Sequence, residues 1–173
     1  MNVGKIMVLV GLAVITSSYG YSVYNSQYKI AITATGNVYK VTKQGLILKI
    51  KYNIKNPTGI TLKMSPPLIV ITGDSTQLAT SNMQIIDIPE SARDNSGKII
   101  LHATQETGNI EAEITVPWVN LAEFAPSIVT RYLKPNPDPK KKVEKIQVTI
   151  NVYSQIYTLA GRIPYQQESK MFL

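Results

Sequence analysis

LILKIKYNIKNPTG, residues 46–59, decides the fold class of this chain. Leu46, Leu48, Ile50, Tyr52 and Ile54 fall on one side of an extended backbone, and Lys49, Lys51, Asn53 and Lys55 on the other. That period of two is what a half-buried strand requires, whereas a helix would scatter the same residues around its circumference. Asn56-Pro57-Thr58-Gly59 then stops the ladder, because proline has no amide hydrogen and fixes its own φ, and glycine tolerates a positive φ.

Outward from this strand, the same signals recur. Tyr28–Ala34 and Asn37–Lys43 read as two short strands with Thr35-Gly36 as the turn between them. Leu68–Thr72 (LIVIT) is a continuous apolar run compatible with burial on both faces. Met83–Ile88 is a further strand, and Lys98–Thr104 and Ile110–Val116 flank Gly108-Asn109 in the manner of a hairpin. Val143–Tyr153 restores strict alternation, with Ile146, Val148, Ile150 and Val152 inward. Tyr157–Pro164 can form a last strand. In Trp118–Leu133 the period changes: Leu121, Phe124, Ile128 and Tyr132 recur at helical steps, so one short inserted helix is expected, with Pro126 at a first turn or a kink. Many short strands with regular turn signals predict a mainly β chain, an antiparallel β-sandwich over residues 28–164.

Both ends of the chain differ from this core. Ile6 to Tyr28 carries no charge, and Ile6–Ile15 is almost purely aliphatic. A secretory signal peptide would use Lys5, the apolar run and Thr16-Ser17-Ser18. A transmembrane helix would use the whole uncharged length, with Ile6, Leu9, Leu12 and Ile15 in lipid and Tyr19, Tyr21 and Tyr24 as an interfacial belt. A helix buried against protein is a third reading. A retained membrane helix within residues 1–27, single-pass, is the expectation carried forward. Lys29, Lys40 and Lys43 against Lys5 would place the large domain on the cytoplasmic side by a margin of only a few charges. At the other end, residues 165–173 read as a polar tail whose last three residues, Met171, Phe172 and Leu173, would fray unless seated in a groove of the sandwich or on a neighbouring protein. The second option is preferred, making these residues candidate protein-partner contacts.

The 173 residues carry a formal charge of +7 and no cysteine. Disulfide frameworks, thiolate metal sites and cysteine nucleophiles are thereby excluded. Ten tyrosines against two phenylalanines favour strands and interfaces, since the ring packs while the hydroxyl stays wet. Lys134–Lys142 (KPNPDPKKK) is a proline-spaced basic loop. Lys134, Lys140, Lys141 and Lys142 are candidate contacts to an anionic partner such as acidic headgroups or, less favoured, nucleic acid, although a solvated loop beside a strand edge is the preferred reading of the run.

At the residues just quoted the chain resembles the water-stress and hypersensitive-response domain of group-two late-embryogenesis-abundant proteins. The matching elements are Leu46–Ile54, Asn56-Pro57-Thr58-Gly59, Leu62, Leu78-Ala79-Thr80-Ser81, Ile88-Pro89-Glu90 and Val148–Tyr153. The resemblance covers about Val38 to Pro164 and implies an immunoglobulin-like sandwich, often membrane-tethered in such proteins, that is not an enzyme. The helix at Trp118–Leu133 and the basic loop depart from that pattern. The charge, missing thiols and single N-terminal span also look like structural components of bacteria or their phages.

No constellation for chemistry emerges. His102 is the only histidine, so a zinc site would have to be carboxylate-rich. Glu111 and Glu113 share a strand face but lack the third group or apolar pocket that would split their pKa values. Asp87, Glu90, Arg93 and Asp94 suit a loop salt bridge better than a calcium loop. Phosphate loops and nucleophile elbows are missing. The expectation is therefore no enzyme, no cofactor and no metal. Two functions stay open: a membrane-anchored structural subunit of a larger assembly, such as a virion or envelope complex, and a freestanding tethered module binding lipid, an apolar ligand or unfolded protein.

Overall fold

A computed structural model describes residues 30–81, 86–133, 145–158 and 161–173. The organising strand forms as expected, as β2 (Gly45–Lys55), preceded by β1 (Ala31–Val41). β3 (Leu62–Met64), β4 (Leu68–Gly73), β5 (Thr76–Thr80), β6 (Ile86–Asp87), β7 (Ile99–Leu101) and β8 (Ile110–Pro117) follow. Two short helices, α1 (Trp118–Phe124) and α2 (Pro126–Leu133), lead to β9 (Gln147–Thr158) and β10 (Gly161–Phe172).

The strands form two antiparallel sheets. One runs β1-β2-β8-β6, and the other runs β5-β4-β9-β3-β7 with β10 added to β9. β9 is the spine of the larger sheet. Its one side is shared by β4, at residues 149–153, and β3, at residues 156–157, while β10 occupies the other side along its whole length. The inward residues of both sheets merge into one core that includes Leu48, Ile50, Tyr52, Ile54, Val148, Ile150 and Val152, each at most 1% exposed. This is the sandwich that the alternation in β2 and β9 predicts.

Several expected boundaries are corrected. Thr35-Gly36 is not a turn, since β1 runs through it and bends only at a bulge between Val38 and Lys40. Gly36 is instead where the core comes close: a Cβ there would lie 2.7 Å from Ile50 Cδ1 and 2.8 Å from Met171 Sδ. The hairpin expected around Gly108-Asn109 does not form. β7 pairs with β3 and β8 pairs with β2, so the loop crosses between sheets. LIVIT alternates rather than being buried on both faces, with Ile69 and Ile71 inward and Leu68, Val70 and Thr72 half-buried outside.

The single inserted helix is two, because Ala125 precedes a proline and is pushed out of the helical region to φ −145°, ψ 70°. Pro126 then opens α2, where a missing N–H costs nothing. The helices close one end of the sandwich. Trp118 Nε1 donates to the Thr42 carbonyl (2.9 Å) and Asn120 Nδ2 to the Leu78 carbonyl (2.7 Å), tying α1 to both sheets. The Phe124 ring occupies the space where Gly73 has no side chain.

The polar tail expected at residues 165–173 is a strand. β10 pairs with β9 from Gly161 to Phe172, and Leu173 exchanges backbone hydrogen bonds with Ile146. Tyr165, Met171 and Leu173 point inward and are buried. Its side chains also reach the other sheet: Gln167 Oε1 accepts the Ile32 N–H (2.8 Å), and Tyr165 Oη donates to the Ile30 carbonyl (2.9 Å). β1 thus has part of its open side satisfied by β10.

Candidate functional site

The most completely built polar site is at Asn56, where β2 ends. Its side chain is wholly buried. Nδ2 donates to the carbonyls of Ile60 (2.8 Å), Leu101 (2.9 Å) and His102 (3.2 Å). Oδ1 accepts from the Thr58 N–H (3.1 Å) and the Thr58 hydroxyl (2.6 Å). An amide offers two donor hydrogens and one acceptor oxygen, and this one uses all of them. The Asn-Pro turn is therefore a brace between the β2–β3 connection and the end of β7, leaving no free group for a ligand.

Asp94 holds the second polar cluster. Its carboxylate accepts from Lys63 Nζ and from the backbone N–H and hydroxyl of Ser96, and also from the Lys98 N–H, at 2.7–2.9 Å. These donors, Lys63 foremost, hold its carboxyl well below the usual carboxylate range. The expected loop salt bridge exists, but its partner is Lys63 rather than Arg93. Glu90, Arg93, Asp94, Asn95 and Gly97 line a polar depression of about 430 Å³ that is open to solvent. Among the described residues no group of three or more histidine, cysteine or acidic side chains could hold a metal. His102 is exposed just past β7.

The two sheets present different outer faces. On the four-stranded sheet Glu111 lies between Lys49 (2.5 Å) and Lys51 (3.0 Å), whose hydrogen bonds lower its pKa while Glu111 raises that of Lys49. Glu111 is thus an ion-paired carboxylate on the strand face. Lys55 meets Glu106 beyond it. This face is charged, with Tyr39, 56% exposed, as an aromatic ring beside Lys49 at 5.5 Å.

The six-stranded sheet is unlike it. Leu68, Val70 and Thr72 of β4 lie opposite Tyr153, Asn151 and Thr149 of β9, and these lie opposite Gln166, Glu168 and Lys170 of β10. Tyr153 is 38% exposed, and Asn151 Nδ2 donates to Thr72 Oγ1 (3.2 Å). Charge lies at two places on this face, at the β10 margin, where Phe172 is also 58% exposed, and at the β3 end, where Lys63 lies opposite Tyr157 and pairs with Asp94. Toward the other end of the face, Lys98 and Arg162 both lie over the Tyr157 ring, at 4.2 and 5.4 Å. A surface of tyrosine and threonine with half-buried aliphatic groups, uncharged along β4 and β9, has the composition of a protein interface. Its signal in the sequence is the outward half of two alternations, Leu68/Val70 and Tyr153, which are too apolar for a merely solvated face.

Of the residues expected to touch a partner, Met171 and Leu173 are in the chain's own core and Phe172 is outside. The membrane-anchor residues Ile6, Leu9, Leu12, Ile15, Tyr19, Tyr21 and Tyr24 lie outside the described residues, as do Lys134, Lys140, Lys141 and Lys142. Among the described residues no helix is long and apolar enough to cross a membrane.

No family model matches the sequence, and no curated protein matches it significantly. Solved structures with a similar backbone include an Arabidopsis thaliana protein determined in solution, with a TM-score of 0.55 at 13% identity over 84% of this chain and 80% of that one. A crystal structure of an Archaeoglobus fulgidus protein gives 0.47 at 10% identity, over 84% and 98%. A protein provisionally assigned as late embryogenesis abundant gives 0.35 at 13% identity, over 96% and 88%. The first likeness bears on fold alone, and the other two scores are too low to add to it.

Proposed function

We propose that this chain is a non-enzymatic structural subunit, anchored to a virion or bacterial envelope membrane by its N-terminal segment, whose sandwich packs against partner proteins of a larger assembly. The sandwich is read as immunoglobulin-like, of the kind found in the water-stress and hypersensitive-response domain, and the fold likeness to the Arabidopsis protein is in keeping with that. The observation that supports the reading is the contrast between the two outer faces. One is laced with lysine–glutamate pairs, as a solvated face is. The other carries Leu68, Val70 and Tyr153 in an uncharged middle, with Glu168, Lys170 and Phe172 at one margin and Lys63, Lys98 and Arg162 toward the other end, and apolar and aromatic surface of this kind gains free energy when a partner covers it. The basic residues Lys134, Lys140, Lys141 and Lys142 are assigned to anionic headgroups beside the anchor rather than to nucleic acid.

The test is the native complex extracted in mild detergent. Companion proteins in fixed stoichiometry are expected, and Tyr153→Asp should lower incorporation of the chain without unfolding it. A monodisperse particle of this chain by itself, unchanged by Tyr153→Asp, would overturn the reading.

A further inference from the structure

β10 is a long strand whose second side pairs with no strand among the described residues. Leu173 exchanges both its backbone bonds with Ile146 (2.9 and 3.4 Å), and the register continues unbroken back to Gly161 opposite Thr158. In an antiparallel ladder such exchanging pairs alternate with pairs whose N–H and C=O groups point away from the partner. Odd-numbered residues of β10 therefore bond to β9. The backbone groups of Arg162, Gln166, Glu168, Lys170 and Phe172 point to the other side, where among the described residues no strand pairs with them. All of these side chains are exposed. Pro164 falls in the same set, so its missing N–H closes only the first part of this edge. Gln166 to Phe172 remains as a proline-free run.

We propose that two copies of this chain pair antiparallel through Gln166–Phe172 of β10, joining their six-stranded sheets into one continuous sheet across a two-fold axis at Ser169. This rests on the reading of the chain as an assembly subunit and names one of its partners. The register follows from charge. Only three close registers bring the open backbone groups of both copies together near the middle of the run. An axis at Glu168 would set Glu168 against its own copy, and an axis at Lys170 would set Lys170 against its own copy. An axis at Ser169 sets Glu168 against Lys170 twice and Gln166 against Phe172 twice. Directly opposed unlike charges stabilise a cross-strand pair and like charges destabilise it. About eight backbone hydrogen bonds then close the seam, and the interface is isologous, as a two-fold requires. The outward face of each copy, with Tyr153 beside Gln166, continues without a step into the other.

The experiment is sedimentation of the full chain in mild detergent over a range of concentrations. A reversible dimer is expected. Glu168→Lys places four lysines around the axis and should weaken the dimer about tenfold. Lys170→Glu should do the same with carboxylates, and the double reversal Glu168→Lys with Lys170→Glu should restore the wild-type constant. Lys170→Pro removes an N–H that faces away from β9, so it should abolish the dimer while leaving the melting temperature nearly unchanged. A chain that stays monomeric at every concentration would overturn the inference. So would a dimer that is indifferent to both charge reversal and Lys170→Pro, since another surface would then hold it. Either result leaves the assembly reading standing if companion proteins still co-purify with the native complex in fixed ratio, and that reading falls separately if they do not.

Discussion

Replacing Asn56 by aspartate changes one NH₂ group into an oxygen with almost no change in shape, which isolates the brace at the end of β2. In the variant an oxygen would face the carbonyls of Ile60, Leu101 and His102 at the distances where Nδ2 now donates, 2.8, 2.9 and 3.2 Å. Ile60 and His102 keep weaker second donors, the Thr58 hydroxyl at 3.3 Å and the Gln105 N–H at 3.3 Å. At least one carbonyl is left short of a partner, a loss of about 1–3 kcal/mol. The buried carboxylate adds more. Without a cation beside it, burial raises its pKa, and a rise of about three units corresponds to about 4 kcal/mol at neutral pH. Because the folded pKa would lie above the unfolded value of about 3.9, the electrostatic part is absent below about pH 4 and grows as pH rises toward the folded pKa. Asn56→Asp should therefore lose about 5 kcal/mol or more at pH 7 and only about 1–3 kcal/mol at pH 4, each relative to wild type at the same pH. Urea unfolding followed by the fluorescence of Trp118, the single tryptophan, measures both. A loss below about 1 kcal/mol at pH 7, or one that does not change with pH, would refute the brace.

Other substitutions probe separate parts of the structure. Tyr52 is buried with its hydroxyl lacking a partner in the described structure, and burial raises its pKa. Tyr52→Phe removes that group, so the melting temperature should stay level or rise by a few degrees, about 2–4 °C per kcal/mol; a clear drop would mean the hydroxyl is satisfied. Ile50→Ala should cost about 2–5 kcal/mol, against less than about 0.5 kcal/mol for Lys51→Ala, and equal losses by thermal melting would contradict the inward assignment of β2. Met171→Ala should also cost about 2–5 kcal/mol, because Met171 is buried over Gly36; a neutral result would return this segment to the status of a tail. Asp94 has a depressed pKa through Lys63, Ser96 and Lys98, so its contribution is present above the unfolded carboxylate pKa and lost as pH falls through the folded one. The stability gap between wild type and Asp94→Asn should close in acid titration below about pH 4, and a constant gap would exclude the ion pair as its source.

The parts of the fold that were legible in the sequence are those in which a single face is apolar. β2 and β9 announce themselves because Leu48, Ile50, Val148 and Ile150 alternate with polar residues. β10 does not, since its inward positions include Gln167 and Ser169, half-buried and polar, and Pro164 looks like a terminator when it is only an edge residue. Gly36 reads locally as a turn, yet it is fixed by Met171, a contact 135 residues away in sequence that no window could contain. The Asn-Pro turn was visible as punctuation, but the role of Asn56 as a brace depends on carbonyls near position 101. The candidate interface was half legible, in Tyr153 and in Leu68 and Val70, because outward apolar residues gain meaning only once strand order places them side by side.

The arrangement around β9 has a consequence for how the chain is made. A ribosome releases β3, β4, β5 and β7 before β9 exists, and neither β4 nor β3 has its β9 partner until then. During that interval both present open edges, the condition under which nascent strands find wrong partners. β9 and β10 form a hairpin of adjacent strands, which closes in about 1–10 μs once both are free. The larger sheet therefore cannot be completed progressively during synthesis. It must wait for a fast-forming keystone and then assemble around it in a late, cooperative step, so a chain stalled before residue 147 would be a target for chaperones rather than a partly finished sandwich.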